Sequence, residues 1–486
     1  MFRDEQRGSV WEQIRQHDLK AFEPVLSPEV LSRAAQRAGT ELGRGVLDLA
    51  TLAWLAVSAA LRPGMNFGLV LTDTFRVLSE MGRLPRPKAK RRGGKRPGAR
   101  RRSRHDPRRA ADQPPSEEAF VQARARLLRV LPGYLVALVL VLGETFEQRH
   151  RDLLCWNGLR LLALDGTCVT LPRWKRLGEY FGYARNKRGT PRPQARMVML
   201  LLAAVRMPWR YELTPRGQGE STVAARLLKE VGKDDLVLMD RGFFNFGLFR
   251  QIHEAGGFFA IRRIKRLRFR TLRRISPRER VVRWKPASSK WKGRTINLRV
   301  IDYQISGFRR SAIVTNLLDE TRVSRAQFLG LSASGAWATE RDAALYHRRW
   351  QIETAFREIK RVQKVQEPGG LRGRTREAIE YEVAGHVLLY LLVRWLMVEA
   401  AVTHGQDPLR LSFTSALHEV RHAASLLPLC LPQHRRRVVE SMLRTIAGHI
   451  VPHRPDRHYP RPNDGKPRRT GAGYRVTSSR LQRCKA

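Results

Sequence analysis

The chain has 486 residues, 42% of them hydrophobic, and carries 92 Lys and Arg against 44 Asp and Glu, a formal net charge of +48. That apolar share excludes a wholly disordered chain and suffices for about three domains. The charge calls for a polyanion, nucleic acid ahead of an anionic membrane surface, because neutralised phosphates release condensed counterions.

Four scattered cysteines, Cys155, Cys168, Cys430 and Cys484, form no C-x-x-C pair. This excludes a disulfide framework and a paired-cysteine zinc site, and fits a reducing cytoplasm. Residues 1–16 are charged throughout, so no secretory signal is expected there.

Residues 1 to about 82 read as helices, with a largely buried one over 41–62 that ends at Arg62-Pro63-Gly64. Composition then changes abruptly: 14 of the residues 83–109 are Lys or Arg, with Gly and Pro throughout. Such a stretch packs no core and reads as a basic tether able to track phosphates. Ser116 is placed to cap a helix whose apolar face is Phe120, Ala123 and Leu127, and Leu131–Glu147 reads as another apolar helix. From Leu159 the period changes to strands. Leu159–Leu164 ends at Asp165-Gly166-Thr167, Cys168–Leu171 follows, and Ala195–Arg206 and Arg210–Thr214 are two more. Glu220–Val231 reads as helix, Asp235–Met239 as a strand ending at Asp240, Asn245–Ala255 as helix and Gly257–Ile264 as strand. Three antiparallel-capable strands followed by alternating helices and strands is the order of an RNase H-like α/β layer.

Residues 265–335 are basic and β-branched and predict a mostly β insertion. Thr339–Lys364 then reads as one strong helix, with Thr339 and Asp342 at capping-box spacing. Residues 383–402 are long enough to cross a membrane but contain His386, Arg394 and Glu399, which predicts a buried core helix instead. The tail from Pro452 is rich in Pro and Arg.

Chemistry concentrates in three acids. Asp165 and Asp240 each follow a buried strand, where a carboxylate is costly unless something neutralises it. At the carboxyl ends of neighbouring strands the pair would converge on a divalent cation, and magnesium suits carboxylate oxygens with phosphate as a further ligand. The alternative for each Asp-Gly or Asp-Arg-Gly is a plain turn. On the helix, about 100° per residue brings Tyr346, Arg349, Glu353 and Lys360 within roughly 60° of one another, and turns Glu358 about 140° from Glu353. The alternative for that face is solvated Glu–Arg and Glu–Lys pairs.

The spacing Y-x-x-R-x-x-x-E-x-x-x-x-x-x-K from Tyr346 to Lys360 resembles the signature of the bacterial insertion-sequence transposases of the fourth family, the YREK group of DDE transposases. Leu164-Asp165-Gly166-Thr167 and Met239-Asp240-Arg241-Gly242-Phe243 are similar to that group's two aspartate motifs, and Ser116–Leu127 to a helix preceding its catalytic domain. The likeness runs over about residues 116–400, and the insert at 83–109 stands outside it.

The resemblance implies cut-and-paste DNA transposition. Asp165, Asp240 and Glu353 would be catalytic and would hold two Mg2+ ions, with Mn2+ as substitute, for phosphodiester cleavage and strand transfer. Tyr346, Arg349 and Lys360 match the group's DNA-contacting positions, and a tryptophan of the β insertion (Trp284, Trp291 or Trp337) would receive a flipped base in hairpin-forming relatives. The implied partners are the double-stranded ends of the element and target DNA, bound by a homodimer at the nucleoid in the cytoplasm, with no membrane.

The expected fold is α/β, an RNase H-like catalytic core with a mostly β insertion, preceded by an all-helical N-terminal domain. Its divisions are a DNA-binding domain over 1–150 with the basic insert at 83–113, a catalytic domain over 158–400 interrupted at 265–335, and a helical C-terminal region over 401–486. Rival readings are an RNase H-like nuclease that cuts without joining, and a catalytically silent DNA-binding protein derived from a transposase.

Overall fold

The local signals that start and stop the elements are explicit in the side chains. Asp48 accepts from the Thr51 amide at 2.7 Å and starts a helix at Leu49, later than the expected 41. Ser116 accepts from the Ala119 amide, as its position predicted, and Asn245 caps the helix after the second acid. The computed structural model describes residues 25–43, 47–65, 67–80, 116–184, 191–264, 267–304, 310–330, 345–367, 370–427 and 430–452. The expectations for residues 1–16, the basic stretch 83–113, Trp337, the Thr339 and Asp342 cap, Cys484 and the tail beyond 452 lie outside the described residues.

In chain order the helices and strands are α1 (Pro28–Arg37), α2 (Leu49–Leu61), α3 (Phe67–Glu80), α4 (Glu117–Leu127), α5 (Leu131–Leu154), β1 (Cys155–Trp156), β2 (Leu159–Thr170), α6 (Lys175–Phe181), β3 (Gln194–Leu202) and β4 (Met207–Pro215). There follow α7 (Glu220–Leu227), β5 (Asp235–Met239), α8 (Phe246–Glu254), β6 (Phe258–Arg262), β7 (Arg270–Ser276), β8 (Glu279–Trp284), β9 (Ile296–Tyr303) and β10 (Ser311–Thr315). The described chain closes with α9 (Arg325–Leu329), α10 (Trp350–Arg357), α11 (Arg376–Thr403), α12 (Phe413–Leu426) and α13 (Pro432–Gly448).

The expected β-β-β-α-β-α-β order is present, with one addition, α6 between the first two long strands. α5 runs past the expected Glu147 to Leu154, through a break at His150. The sheet order is β4-β3-β2-β5-β6-β10-β9-β8-β7, with β1 paired to β2. β2, β3 and β4 are antiparallel, whereas β2, β5 and β6 run parallel. The β-rich segment that reads as an insertion does not stand apart. β10 pairs antiparallel with β6, so strands β10 to β7 continue the same sheet. Backbone hydrogen bonding along the β6 edge decides this, and no side-chain pattern announces it.

α11 passes the length and apolarity test for a membrane span, yet its apolar stretch is entirely buried inside the molecule, as its internal charges predicted. His386 meets Gln363, Arg394 donates to the carbonyls of Val205 and Pro408, and Glu399 accepts from Trp395 and contacts His150. Gly385 is where α2 crosses α11. A Cβ there would lie 2.6 Å from the Ala56 carbonyl oxygen, so only glycine permits the approach.

Candidate active site

Residues Leu159 and Leu161 to Leu164 of β2 are buried without exposure, and the parallel pairing with β5 ends at Leu164 opposite Met239. Asp165 and Asp240 therefore each stand one residue beyond the last pair, at the same level of adjacent strands. Asp165 does not end its strand, contrary to expectation. β2 continues to Thr170 on β3 alone, because that antiparallel ladder still supplies its hydrogen bonds. Asp240 does end β5: its carbonyl accepts from the Phe243 amide at 2.9 Å and starts a short 3-10 turn over Arg241–Phe243.

The third acid comes from α10. From Leu345, where the described segment begins, this is not one regular helix. A 3-10 turn over Leu345–Arg349 precedes it and a π turn over Glu358–Val362 follows it. Arg349 links the acids, 2.9 Å from Glu353 and 3.9 Å from Asp165, with its own side chain only 6% exposed. Burial pushes the Asp165 carboxyl up to about 6; the Gly166 amide and Arg349 oppose this, and the charges of Glu353 and Asp240 add to it. Three carboxylates thus share one field. Two of them make the third harder to ionise, and a single guanidinium is the cation set between them.

Lys360 and Tyr346 brace this cluster. The Lys360 ammonium donates to Thr167 Oγ1 at 2.7 Å, and burial lowers its pKa. Gln366 donates to the Cys168 carbonyl at 3.2 Å, so the segment after Glu353 is laced to the strand after Asp165. The Tyr346 hydroxyl donates to the Met239 carbonyl at 3.0 Å and accepts from the Arg262 amide at 3.2 Å. Burial holds its pKa well above the ordinary value. Its hydroxyl is thus spent on the end of β5, next to Asp240, and not turned to solvent.

Among the described residues no three His, Cys, Asp or Glu side chains converge tightly enough to hold a metal ion as they stand. Here Arg349 pairs with both Asp165 and Glu353. The donor set still fits a hard divalent cation: three carboxylates, one of them driven towards its proton by burial and by the charges of the other two.

Glu358 is turned away from the acids, as the helical wheel predicted. It is buried, 2.9 Å from Arg206 and 2.6 Å from the Tyr390 hydroxyl, while Arg206 also donates to Gln351 at 2.7 Å. Sequence reasoning missed Arg206. The available signal was a lone arginine in the apolar run that joins β3 to β4, where it adopts a φ of 58°. Two of the three tryptophans considered for a flipped base are packed together with phenylalanines. Trp284 lies against Phe244, Phe246 and Phe249, and Trp291 against Phe246.

The family described as Transposase DDE domain matches residues 156–392. Among curated proteins, the transposase InsG for insertion sequence element IS4 of Escherichia coli (strain K12) is 26% identical over 320 residues, covering 63% of this chain and 68% of that one. Among solved structures, a cryo-EM synaptic complex of piggyBac transposase with hairpin DNA aligns with 90% of this chain and 86% of its own, at 10% identity and a TM-score of 0.38, too distant to bear on fold or function. The matched family segment begins within β1 and ends inside α11, so it encloses all three acids and both braces. Residues 156–392 thus match the DDE domain of transposases, metal-dependent enzymes that cleave DNA, in a chain similar to the transposase of an IS4 element.

Proposed function

We propose that this transposase moves an insertion sequence by cut-and-paste, cleaving the element's ends and joining them to target DNA at one site built from Asp165, Asp240 and Glu353. The carrying observation is the shared level of Asp165 and Asp240 at the end of the β2–β5 pairing, with Glu353 linked to Asp165 through Arg349. Three antiparallel strands followed by two parallel ones supports reading the sheet as an RNase H-like core.

The three acids would hold divalent cations, two Mg2+ or Mn2+, which supply Lewis-acid activation of the attacking oxygen and charge stabilisation of the leaving one. Arg349 keeps a buried Nε–H with no acceptor among the described residues, which suits it to a DNA phosphate once Glu353 engages a cation. Lys360 adds a second cation beside Thr167 and fixes the strand on which Asp165 stands. Tyr346 holds the end of β5 and so orients Asp240, with its phenol edge the part left to meet DNA.

The helical segment over 1–150 is assigned to binding the element's ends, 158–400 to catalysis and 401–486 to a helical C-terminal region. Two copies would pair two ends at the nucleoid of a cytoplasm.

The test is cleavage of labelled DNA carrying the sequences that flank its own gene, with Mg2+ or Mn2+. The wild type should leave 3′-hydroxyl ends and join them to a second duplex, and Glu353→Gln should lower cleavage by roughly a thousandfold or more while binding persists. Tight binding without cleavage by the wild type would instead mark a silent DNA-binding protein, and cleavage without joining a nuclease.

A further inference from the structure

Beyond the acids, β2 leads to a surface that the proposed chemistry leaves unused. Three large aromatic side chains stand exposed around α6: Trp174 at 43%, Tyr180 at 38% and Tyr183 at 43%. Single exposed rings are ordinary, but three on one short segment are a concentration of apolar surface that calls for a partner.

The rings are held in place. The Arg374 guanidinium lies over Trp174 at 4.6 Å, and that of Arg376 over Tyr180 at 4.4 Å. Tyr183 rests on Gly178, where a Cβ would come within 1.9 Å of its ring, so the helix leaves out a side chain to seat it. Arg216 fixes the Tyr183 carbonyl at 2.6 Å. Two of the acids near the patch are paired, Glu179 with Lys175 and Glu380 with Arg376, while Glu377 adds its charge near Tyr180. Arg173 and Arg176 stand exposed beside the rings.

Connectivity ties the patch to the acids from both sides. β2 runs from Asp165 to Thr170, about 17 Å at 3.3 Å per residue, and four residues, Leu171 to Trp174, join it to α6. The segment that carries Arg374 leaves the catalytic helix through Lys360 and Gln366, both hydrogen-bonded to β2. A DNA strand with one phosphate at the acids therefore has its next few nucleotides within reach of these rings.

We propose that Trp174, Tyr180 and Tyr183, clamped by Arg374 and Arg376, are a stacking platform for unpaired bases of the DNA engaged at the acidic site. This rests on the reading that the acids hold DNA. Aromatic faces interleaved with arginine suit bases of any sequence, because every base has a π-face. The same residue types also make protein hot spots, but a second copy would bring another net charge of +48 to an already basic patch. Charge complementarity therefore favours the polyanion.

Full-length protein is titrated with fluorescent duplex DNA and with a forked duplex carrying an unpaired poly-dT arm, without metal so that no cleavage intervenes. The wild type should prefer the fork. Trp174→Ala and Tyr180→Ala should each reduce that preference by roughly tenfold, with duplex affinity nearly unchanged. Gly178→Ala, which keeps every ring and favours the helix, should reduce it too by displacing Tyr183. Iododeoxyuridine in the arm should crosslink to these rings.

Unchanged preference in all three folded variants, or equal loss of fork and duplex binding, would overturn the platform. So would a shift in oligomeric state with DNA binding intact. Wild-type protein that binds neither DNA would instead sink the reading of the acidic site on which the platform depends.

Discussion

His386 shows how a single residue ties the segment after Glu353 to the core. It is buried on α11, contacts Gln363 at 3.1 Å, and lies between the turn at Gly370 and Arg421 of α12. Burial lowers its pKa from 6.5 to about 4; a hydrogen bond at the Gly370 backbone opposes this and the charge of Arg421 adds to it. The folded chain therefore keeps His386 neutral while the unfolded chain protonates it near 6.5. Its contribution is present above that value and lost progressively as pH falls towards 4. Between pH 7 and 5 this amounts to about 2 kcal/mol. Urea unfolding at the two pH values should show the loss in the wild type and a flatter response in His386→Asn, and an identical response would refute a neutral buried histidine. At this scale the sequence was informative about acids and uninformative about braces. Asp165 and Asp240 stand out because each follows an apolar strand, and Glu353 because of its spacing from Tyr346, Arg349 and Lys360. The partner of Lys360, Thr167, lies 193 residues away, a pairing that only folding creates.

The helix that carries Glu353 is where element-level reasoning departed most from the structure. A constant 100° per residue describes α10 itself but not the 3-10 turn before it or the π turn after it. On the side of the helix away from Glu353 lies a buried clamp: Arg206 in the β3–β4 connection grips Gln351 and Glu358. Tyr390 of α11 completes it, and neighbouring Arg394, lowered to about 10 by burial and then by the charge of Arg206, discharges onto backbone carbonyls. Arg206→Ala should destabilise the fold by about 3–5 kcal/mol, because it strands a buried carboxylate. Replacing both partners by apolar residues, Arg206→Met with Glu358→Leu, should restore much of that loss. Denaturant melts check this, and a cost below about 1 kcal/mol for the single variant would show that the clamp does not stabilise the fold.

For the whole molecule, charge governs how it meets its partner. With a net +48 the chain should bind DNA by counterion release, so log affinity should fall linearly with log salt concentration. Titrations at several ionic strengths measure the slope, and affinity insensitive to salt between about 50 and 200 mM would contradict phosphate contacts as the main source of binding.

Composition, the strand order and the buried nature of α11 came from the sequence alone, because each is a local pattern of apolarity, period or charge, and the three acids were proposed from it on strand ends and a motif spacing. Tertiary structure decided the rest. It merged the β-rich segment into the main sheet through the β6 edge, aligned Asp165 with Asp240 through parallel register, and placed Arg349 between two carboxylates. Those outcomes depend on hydrogen-bond partners far apart in the chain. One-dimensional periodicity carries no information about which distant edge or side chain will meet another.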